Sequence, residues 1–367
     1  MQRNKPPFRA DHVGSLLRPA PLKEARARAA KGEISAAQLK AVEDREIARA
    51  IKMQEEIGLQ SVTDGEFRRS WWHLDFLWGL DGCEHYVMDQ GIAFHGLQTR
   101  AEGARVVRKL GFSGHPMIEH FKFVQANTKA TPKMTIPAPS ALYGRTGREA
   151  VTKEAYPKLD DFFSDLGKTY AKAVRAFANA GCRYLQLDEV FIAMLCDENY
   201  RAKQRAQGDD PDQLANIYAD MINAAMSDIP KDMTITMHMC RGNYRSTFMG
   251  SGGYAPVAEV LFNRIKVHGY FMEYDTERAG GFEPLKLVPK DRIVVLGLVT
   301  TKTGQLESKD QLKRRIDEAA KYISLDQLCL SPQCGFASSE EGNVLAEEEQ
   351  WAKLRRVVEV AQEVWGR

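Results

Sequence analysis

A repeated order of strand followed by helix is the feature of this sequence that most constrains its fold. Short runs rich in β-branched and aromatic residues predict strands, and stretches with apolar residues at helical spacing predict helices between them. This alternation favours a parallel sheet whose strands are joined by crossover helices. The predicted strands span 10–13, 60–63, 133–136, 184–187, 234–238, 270–273, 293–296 and 327–330, and the predicted helices span 22–30, 36–57, 162–180, 211–226, 255–267, 309–322 and 345–364.

Eight strand-helix units favour an α/β fold of the (β/α)8 TIM-barrel type. An open doubly wound sheet fits less well, because no glycine-rich dinucleotide fingerprint follows the first predicted strand. The chain of 367 residues is longer than the roughly 250 that a plain barrel needs. The surplus lies in an N-terminal helical pair at about 20–57 and in an insertion at about 80–130, where we expect a hairpin or lid beside the barrel mouth. No repeat or linker divides the chain, so we expect one catalytic domain over 1–367.

The charge balance and the apolar pattern of the sequence indicate which partners and which compartment suit the chain. With 51 basic and 49 acidic residues, the net charge of +2 predicts neither nucleic-acid nor membrane binding, so small molecules are the expected partners. The N-terminal residues lack the apolar core of a secretory signal, and no apolar run is long enough to span a membrane, which together predict a cytoplasmic protein. In that compartment the six cysteines should be thiols or metal ligands. Whether the chain forms a homo-oligomer is left open.

The run from 236 to 243 places a histidine and a cysteine two residues apart. On a strand, His238 and Cys240 would project from the same face. The Arg-Gly-Asn sequence that follows predicts a loop, so both residues should lie at the C-terminal end of a strand, where barrel active sites are built. Taken alone, such a pair is more often a core histidine beside a buried thiol.

Two further residues could complete a metal site with this pair. Cys334 follows the last predicted strand in a loop that contains proline and glycine, and Glu273 closes the strand at 270–273. A carboxylate at that position is costly to bury unless a cation or hydrogen bonds satisfy it, and a salt bridge with Arg278 is the alternative. Two thiolates, one imidazole and one carboxylate suit Zn²⁺, which would lower the pKa of a bound substrate thiol and make it nucleophilic. Cys329, within a predicted strand, is interpreted as a core residue.

A second group of polar residues follows other predicted strands and should face the same barrel mouth. Carboxylates there could hold the ammonium group of an amino acid, while Ser15 and backbone N–H groups could hold its carboxylate. The alternative is that these residues cap helices or pair with nearby arginines. Trp71 and its neighbours offer aromatic surface for a flat ligand. The polar candidates are Ser15, Asp64, Glu66, Asp188 and Glu189, and the arginines are Arg18, Arg68 and Arg69.

The combination of these motifs resembles the catalytic barrel of cobalamin-independent methionine synthase, over nearly the whole chain. The resemblance implies zinc-dependent transfer of a methyl group to the sulfur of homocysteine, a reaction of methionine biosynthesis. It further implies His238, Cys240, Glu273 and Cys334 as zinc ligands, with Ser15, Glu66 and Asp188 holding the amino-acid part of homocysteine. The motifs are Val13-Gly14-Ser15, Asp64-Gly65-Glu66, Leu187-Asp188-Glu189, His238-Met239-Cys240, Glu273 and Pro332-Gln333-Cys334-Gly335.

Two departures from the family pattern concern the methyl donor. The full synthase has two barrels, and this chain resembles its C-terminal half alone. Where the synthase has a histidine that assists proton transfer to the folate leaving group, this chain has Lys302. We expect a methyl-folate donor, with Lys302 or a nearby acid such as Asp188 protonating the leaving group.

Three alternatives differ in chemistry from zinc-dependent methyl transfer to homocysteine. The first is a zinc-dependent alkyltransferase that uses a methyl-corrinoid or another thiol, as the epoxyalkane:coenzyme M transferases do. The second is a metal-free barrel enzyme like uroporphyrinogen decarboxylase, against which the four candidate ligands argue. The third is a non-catalytic zinc-binding or thiol-sensing protein, which would hold metal and homocysteine without turnover.

Overall fold

Buried runs of apolar residues form the strands at the centre of the molecule, as the alternation predicts. The computed structural model describes residues 3–145 and 147–366. The strands are β1 (Ser61–Val62), β2 (Asp81–Val87), β3 (Ala93–Phe94), β4 (Leu97–Gln98), β5 (Glu102–Gly111), β6 (Thr131–Pro132), β7 (Met134–Pro137), β8 (Tyr184–Glu189), β9 (Thr234–Met239), β10 (Gly269–Glu273), β11 (Ile293–Val299) and β12 (Leu328–Pro332). Every residue of β7, β8, β10, β11 and β12 is buried, so these are interior strands covered on both faces.

The central sheet is parallel and contains six strands in the order β12-β11-β10-β9-β8-β7. Spatial neighbours are also neighbours in sequence, joined through helical segments, so the mixed α/β prediction is confirmed. Because all six strands run the same way, their carboxyl ends meet at one edge. Residues that follow these strands are therefore brought together, which positions the site described below.

The first two predicted strands join the sheet less regularly than the other six. β1 pairs in parallel with β6, which lies one residue before β7. Of the predicted strand 10–13, Ala10 makes a single parallel bridge to Leu330, while the Asp11 carboxylate accepts bonds from Ser61, Tyr184 and the Phe8 backbone. The regular ladder therefore has six strands rather than eight, and closure into a (β/α)8 TIM barrel stays a prediction.

The helices cover the sheet and follow their sequence signals closely. They are α1 (Ala20–Ala30), α2 (Ala36–Ile57), α3 (Leu74–Leu77), α4 (Met117–Ala126), α5 (Ala141–Gly144), α6 (Leu159–Asn179), α7 (Phe191–Met194), α8 (Glu198–Ala206), α9 (Pro211–Ala225), α10 (Lys309–Ala319) and α11 (Glu347–Trp365). α2 has the predicted bounds because Ser35 and Gln38 form a capping box and Gly58 ends it with a φ of 95°. Across the described residues, we find no helix with both the length and the apolar character that crossing a membrane requires.

The predicted helix at 255–267 is shorter than expected. A 3-10 turn at Ala255–Val257 leads into a wide helical turn at Val260–Arg264, and the chain is extended from Ile265. The Asn223 side chain donates to the Arg264 carbonyl at 2.9 Å and accepts from the Lys266 N–H at 2.9 Å. These two bonds hold the backbone where a further helical turn would begin, so a tertiary contact overrides the local pattern.

The insertion forms the expected hairpin. β2 pairs antiparallel with β5, and the loop between them contains the short β3–β4 pair. The loop tip packs against the segment after β9, where the Phe94 and Tyr244 rings lie 5.4 Å apart and the His95 N–H donates to the Phe248 carbonyl at 3.3 Å. The hairpin therefore extends over the carboxyl edge of the sheet.

Candidate functional site

Four potential metal ligands converge at the carboxyl edge of the sheet. His238 lies near the end of β9 and Cys240 directly follows it, Glu273 is the last residue of β10, and Cys334 follows β12. One ligand atom from each residue lies within 4.8 Å of the others, and all four residues are buried. The structure thus brings together the four residues that the resemblance implies.

The surroundings of this quartet leave coordinating atoms free. Neither ring nitrogen of His238 has a hydrogen-bond partner among the described residues, although both are buried. Glu273 accepts from the Arg241 N–H at 3.0 Å and pairs with Arg278 at 3.1 Å, so the salt bridge and the cluster coexist. A buried nitrogen without a partner is costly, and a bound cation would satisfy one of the two ring nitrogens. Two sulfurs, an imidazole and a carboxylate are the donor set that zinc takes tetrahedrally.

The two cysteines share a strong interaction. Their Sγ atoms lie 3.6 Å apart. The pKa of Cys334 is held well below its ordinary value because Cys240 donates to its sulfur, and His238 and Lys302 add favourable charge. The same contact raises the pKa of Cys240 well above its ordinary range. Burial disfavours protonation of His238, but its contact with Cys334 still raises its pKa. The lowered pKa favours the thiolate form of Cys334, which is the form in which a cysteine sulfur binds a metal.

Glu66 lies beside the quartet in a strained turn. Its φ is 61°, in the left-handed region, and Asp64 accepts its backbone N–H at 2.8 Å. Thr135 donates to Oε1 at 2.8 Å and Arg69 approaches the same oxygen at 3.4 Å, while Oε2 is buried without a hydrogen-bond partner among the described residues. One carboxylate oxygen is thus available for a ligand cation.

Ser15 meets the segment that carries Cys334. Its hydroxyl oxygen accepts from the Ala337 N–H at 3.3 Å, and its carbonyl accepts from the Phe336 N–H at 3.0 Å. A Cβ on Gly335 would stand 1.9 Å from the Ser15 hydroxyl oxygen, so only glycine lets the two segments approach. The Ser15 hydroxyl hydrogen remains free to donate to a ligand.

Asp188 and Lys302 are both close to the candidate metal ligands, but only Asp188 belongs to the described lining of the cavity. Asp188 pairs in register with His238 across β8 and β9, and Gln186 donates to its Oδ1 at 2.7 Å. Burial, aided by the charge of Glu66, raises the pKa of Asp188 to about 7. The Lys302 ammonium is buried with no hydrogen-bond partner among the described residues, and Lys302 is absent from the described lining of the cavity.

A cavity of about 420 Å³ opens above these residues. We define the floor of this cavity as Ser15, Glu66, Asp188, His238, Cys240 and Cys334. Its rim consists of Trp72, His73, Arg145, Phe191, Tyr200, Lys203, Gln204 and Gln207. Trp71 lines the cavity between them, with its Nε1 donating to Glu102 at 2.8 Å and the Arg100 guanidinium 4.8 Å from its ring centroid.

The sequence-predicted candidates thus divide by position. His238, Cys240, Cys334, the polar floor residues and Trp71 line one cavity, and Glu273 joins the first three from behind the described lining. Asp64 caps the turn at Glu66, and Glu189 accepts hydrogen bonds from Ser140 and the Ile192 N–H. The contribution of α8 to the rim was missed. Its signal was the spacing of the polar residues at 200, 203, 204 and 207, which places them on one helical face.

Comparisons with known proteins agree with this arrangement. Residues 8–363 match the family model described as the catalytic domain of cobalamin-independent synthase. The chain is 53% identical over 368 residues to the uncharacterized Bacillus subtilis protein YxjG, covering 100% of this chain and 97% of that protein. A Listeria monocytogenes crystal structure, of a candidate vitamin-B12 independent methionine synthase, superposes with a TM-score of 0.79 at 40% identity and full coverage of both chains. The 5-methyltetrahydropteroyltriglutamate–homocysteine methyltransferase of Bacillus velezensis is 23% identical over 96% of this chain and 42% of its own length.

Proposed function

The chain belongs to the cobalamin-independent methionine synthase family, and we propose that it is a zinc-dependent methyltransferase that converts homocysteine to methionine with a methyl-folate as donor. The observation that carries the proposal is the buried quartet within 4.8 Å, three members of which line the floor of a ligand-sized cavity. Family membership supports methyl transfer of this type. The folate donor and the homocysteine acceptor are supported by a distant relative, which is named as the 5-methyltetrahydropteroyltriglutamate–homocysteine methyltransferase of Bacillus velezensis.

His238, Cys240, Glu273 and Cys334 would hold the zinc ion in this proposal. An imidazole nitrogen without a hydrogen-bond partner among the described residues, and a Cys334 thiol whose pKa is lowered, fit that role. A bound zinc ion would act as a Lewis acid that lowers the pKa of the substrate thiol. The Arg241 backbone N–H and the Arg278 guanidinium hold Glu273 in place, and the charge of Arg278 offsets part of the negative charge that two thiolates and a carboxylate would concentrate there.

The floor residues would orient homocysteine. Glu66 presents a carboxylate oxygen without a protein partner, and Asp188 adds a second carboxyl group, which suits an ammonium ion. The Ser15 hydroxyl would donate to the substrate carboxylate. An amino acid held at both groups would have its thiol fixed relative to the quartet, which supplies much of the rate enhancement in a bimolecular transfer.

Methyl transfer then needs one bond to form and one to break. A lone pair of the thiolate sulfur attacks the methyl carbon, the new S–C bond forms, and the donor leaves with the electron pair of its bond to that carbon. The leaving group must gain a proton. Asp188, with a pKa of about 7, can hold one near the reacting atoms, and we propose it for this role, in which Glu66 alone bears the charge that pairs with the substrate ammonium. Lys302, whose buried ammonium has no hydrogen-bond partner among the described residues, is the second candidate for this proton and would also place positive charge near the cysteines.

A closed barrel and a single catalytic unit over 1–367 are part of the same proposal. The Leu16 N–H donates to the Gly65 carbonyl at 3.0 Å, and Thr63 Oγ1 donates to the Gly14 carbonyl at 2.6 Å. These bonds link the segment after 10–13 to the segment after β1. Together with the Ala10–Leu330 bridge, they support a ring of eight parallel segments.

The substitution Cys240→Ser tests the site, with Cys83→Ser as the control. Cys83 lies in β2 of the hairpin and outside the described cavity lining. We expect Cys240→Ser to lose bound zinc and to abolish methylation of homocysteine, while Cys83→Ser keeps both. Turnover should be measured with methyl-folate and methylcobalamin as donors and with homocysteine and coenzyme M as acceptors. A zinc-loaded, active Cys240→Ser enzyme would remove the proposed site.

A further inference from the structure

Helix α8 turns one polar face toward the cavity. Tyr200, Lys203, Gln204 and Gln207 are spaced three, four and seven residues apart, so they lie on one side of the helix, and all four line the cavity. The Tyr200 hydroxyl donates a hydrogen bond to the Gly144 carbonyl at 3.1 Å. The remaining groups on this face are an ammonium and two amides.

Gln204 distinguishes this face from an ordinary solvated one. Lys203 and Gln207 are exposed at the cavity mouth, but Gln204 is only 3% exposed. Within the part of the chain that the structure describes, its side-chain amide makes no hydrogen bond. The Gln204 amide is not among the buried atoms that lack partners, so it is open to the cavity, and only a group inside the cavity can complete its hydrogen bonds.

The charge of the rim narrows the choice of ligand. Arg145, held by His73 Nε2 at 2.5 Å and the Glu102 carbonyl at 2.7 Å, and Lys203 both line this part of the cavity. Glu66 and Asp188 are the carboxylates of the described lining, and both belong to the floor. Trp72 and Phe191 add aromatic surface to the rim. A flat, anionic group is favoured there over a cationic one.

We propose that the α8 face is the subsite for the polar end of the methyl donor, with the Gln204 amide hydrogen-bonding to an amide-like edge of a planar heterocycle. Lys203 lies at the mouth of the cavity, where its charge favours entry of an anionic ligand. This inference rests on the proposed function, since it assigns the second substrate to the same cavity. It makes Gln204 a specificity-determining residue for the donor and not for the thiol.

The test compares Gln204→Leu with Gln213→Leu, a matched change at an exposed position of α9. The probe is the monoglutamate of 5-methyltetrahydrofolate, and its Kd is measured by equilibrium dialysis on the zinc-loaded full chain. We expect Gln204→Leu to raise the Kd about tenfold, the usual effect of losing one hydrogen bond. Gln213→Leu should leave the Kd unchanged. The thermal midpoints of both variants should match the wild type, because leucine fits a largely apolar wall.

A second variant, Gln204→Glu, keeps the shape of the side chain but places a carboxylate opposite the ligand. It should weaken binding of the anionic folate more than Gln204→Leu does. The inference is overturned if wild-type protein does not bind the folate, or if both Gln204 variants bind it as tightly as wild type. Binding of zinc and homocysteine is followed in parallel. If that binding is absent while folate binding still depends on Gln204, the subsite stands and the proposed function fails.

Discussion

The floor and the rim of the cavity are built by different parts of the fold and carry opposite charge. The floor residues lie at or just after the carboxyl ends of parallel strands and of the segment at 10–13, and they include two carboxyl groups and two thiols. The rim residues come from loops and from α7 and α8, and they include Arg145 and Lys203. Strand ends are held rigidly by the sheet, whereas loops and short helices vary more readily. This difference suggests that the floor sets the chemistry and the acceptor, and that the rim sets the donor.

Glu66→Gln is expected to have the largest effect, because it should change the KM for homocysteine without a matching change in the KM for the donor. Loss of the charge should raise the KM for homocysteine about 100-fold, because hydrogen bonds to charged groups contribute roughly 1.5–3 kcal/mol. The KM for the donor should change little. Steady-state kinetics with each substrate varied in turn measures both. Glu277→Gln, at an exposed position, is the control, and an equal rise in both KM values would show that floor and rim are not separate subsites.

A second prediction concerns Glu189, which connects the floor to the rim. It accepts bonds from Ser140 and from the Ile192 N–H beside α7. Burial raises its pKa to about 7, above the ordinary value of 4.5. Its contribution to stability is therefore fully present below about pH 4.5 and is lost as the pH rises through about 7.

Glu189→Gln should remove that part of the pH dependence. Between pH 5 and 8, wild type should lose on the order of 2 kcal/mol of unfolding free energy relative to the variant. Urea denaturation of both proteins at several pH values measures the difference. Since zinc affects wild type and variant alike, the comparison isolates Glu189, and parallel pH profiles would contradict the assignment.

A third prediction perturbs the floor without changing its charge. In Gly335→Ala the new methyl group would stand 1.9 Å from the Ser15 hydroxyl oxygen and must displace it. We expect the KM for homocysteine to rise about tenfold, the loss of one hydrogen bond. Gly253→Ala meets its nearest neighbour at 3.6 Å and should be neutral. An unchanged KM in Gly335→Ala would show that Ser15 does not contact the substrate.

The smallest effect is expected from Lys203→Met on the rim. Because Lys203 is exposed, its attraction for an anionic donor is screened, and we expect the donor Kd to rise about threefold at low salt. The difference from wild type should vanish in high salt. Lys231→Met is the matched control at an exposed position outside the described cavity lining. A salt-independent change would indicate lost packing rather than charge.

Most of the floor could be predicted from sequence because each of its residues follows a strand that has a clear local signal. Parallel strands bring their carboxyl ends to one edge, so strand assignment alone placed His238 and Cys240 near Cys334. The bounds of α2 were likewise readable, because its capping box and terminal glycine are local features.

Trp72 and His73 could be expected near the floor, but the meeting of Arg145 with the α8 residues could not be predicted, because it depends on tertiary packing. The approach of Tyr200 to Gly144 and of Arg145 to His73 joins segments far apart in sequence. The same limit explains the shortened helix near Arg264, which the distant Asn223 side chain ends. Irregular pairing at 10–13 arises from side-chain bonds to Asp11 that no periodic pattern reveals.

The most direct test of the account is the zinc content of the purified protein, followed at the zinc X-ray absorption edge with and without homocysteine. We predict about one zinc per chain, bound through the quartet of His238, Cys240, Glu273 and Cys334. The zinc should gain one more sulfur neighbour when homocysteine is added. A protein that binds no zinc, or whose zinc environment does not change with homocysteine, would contradict it.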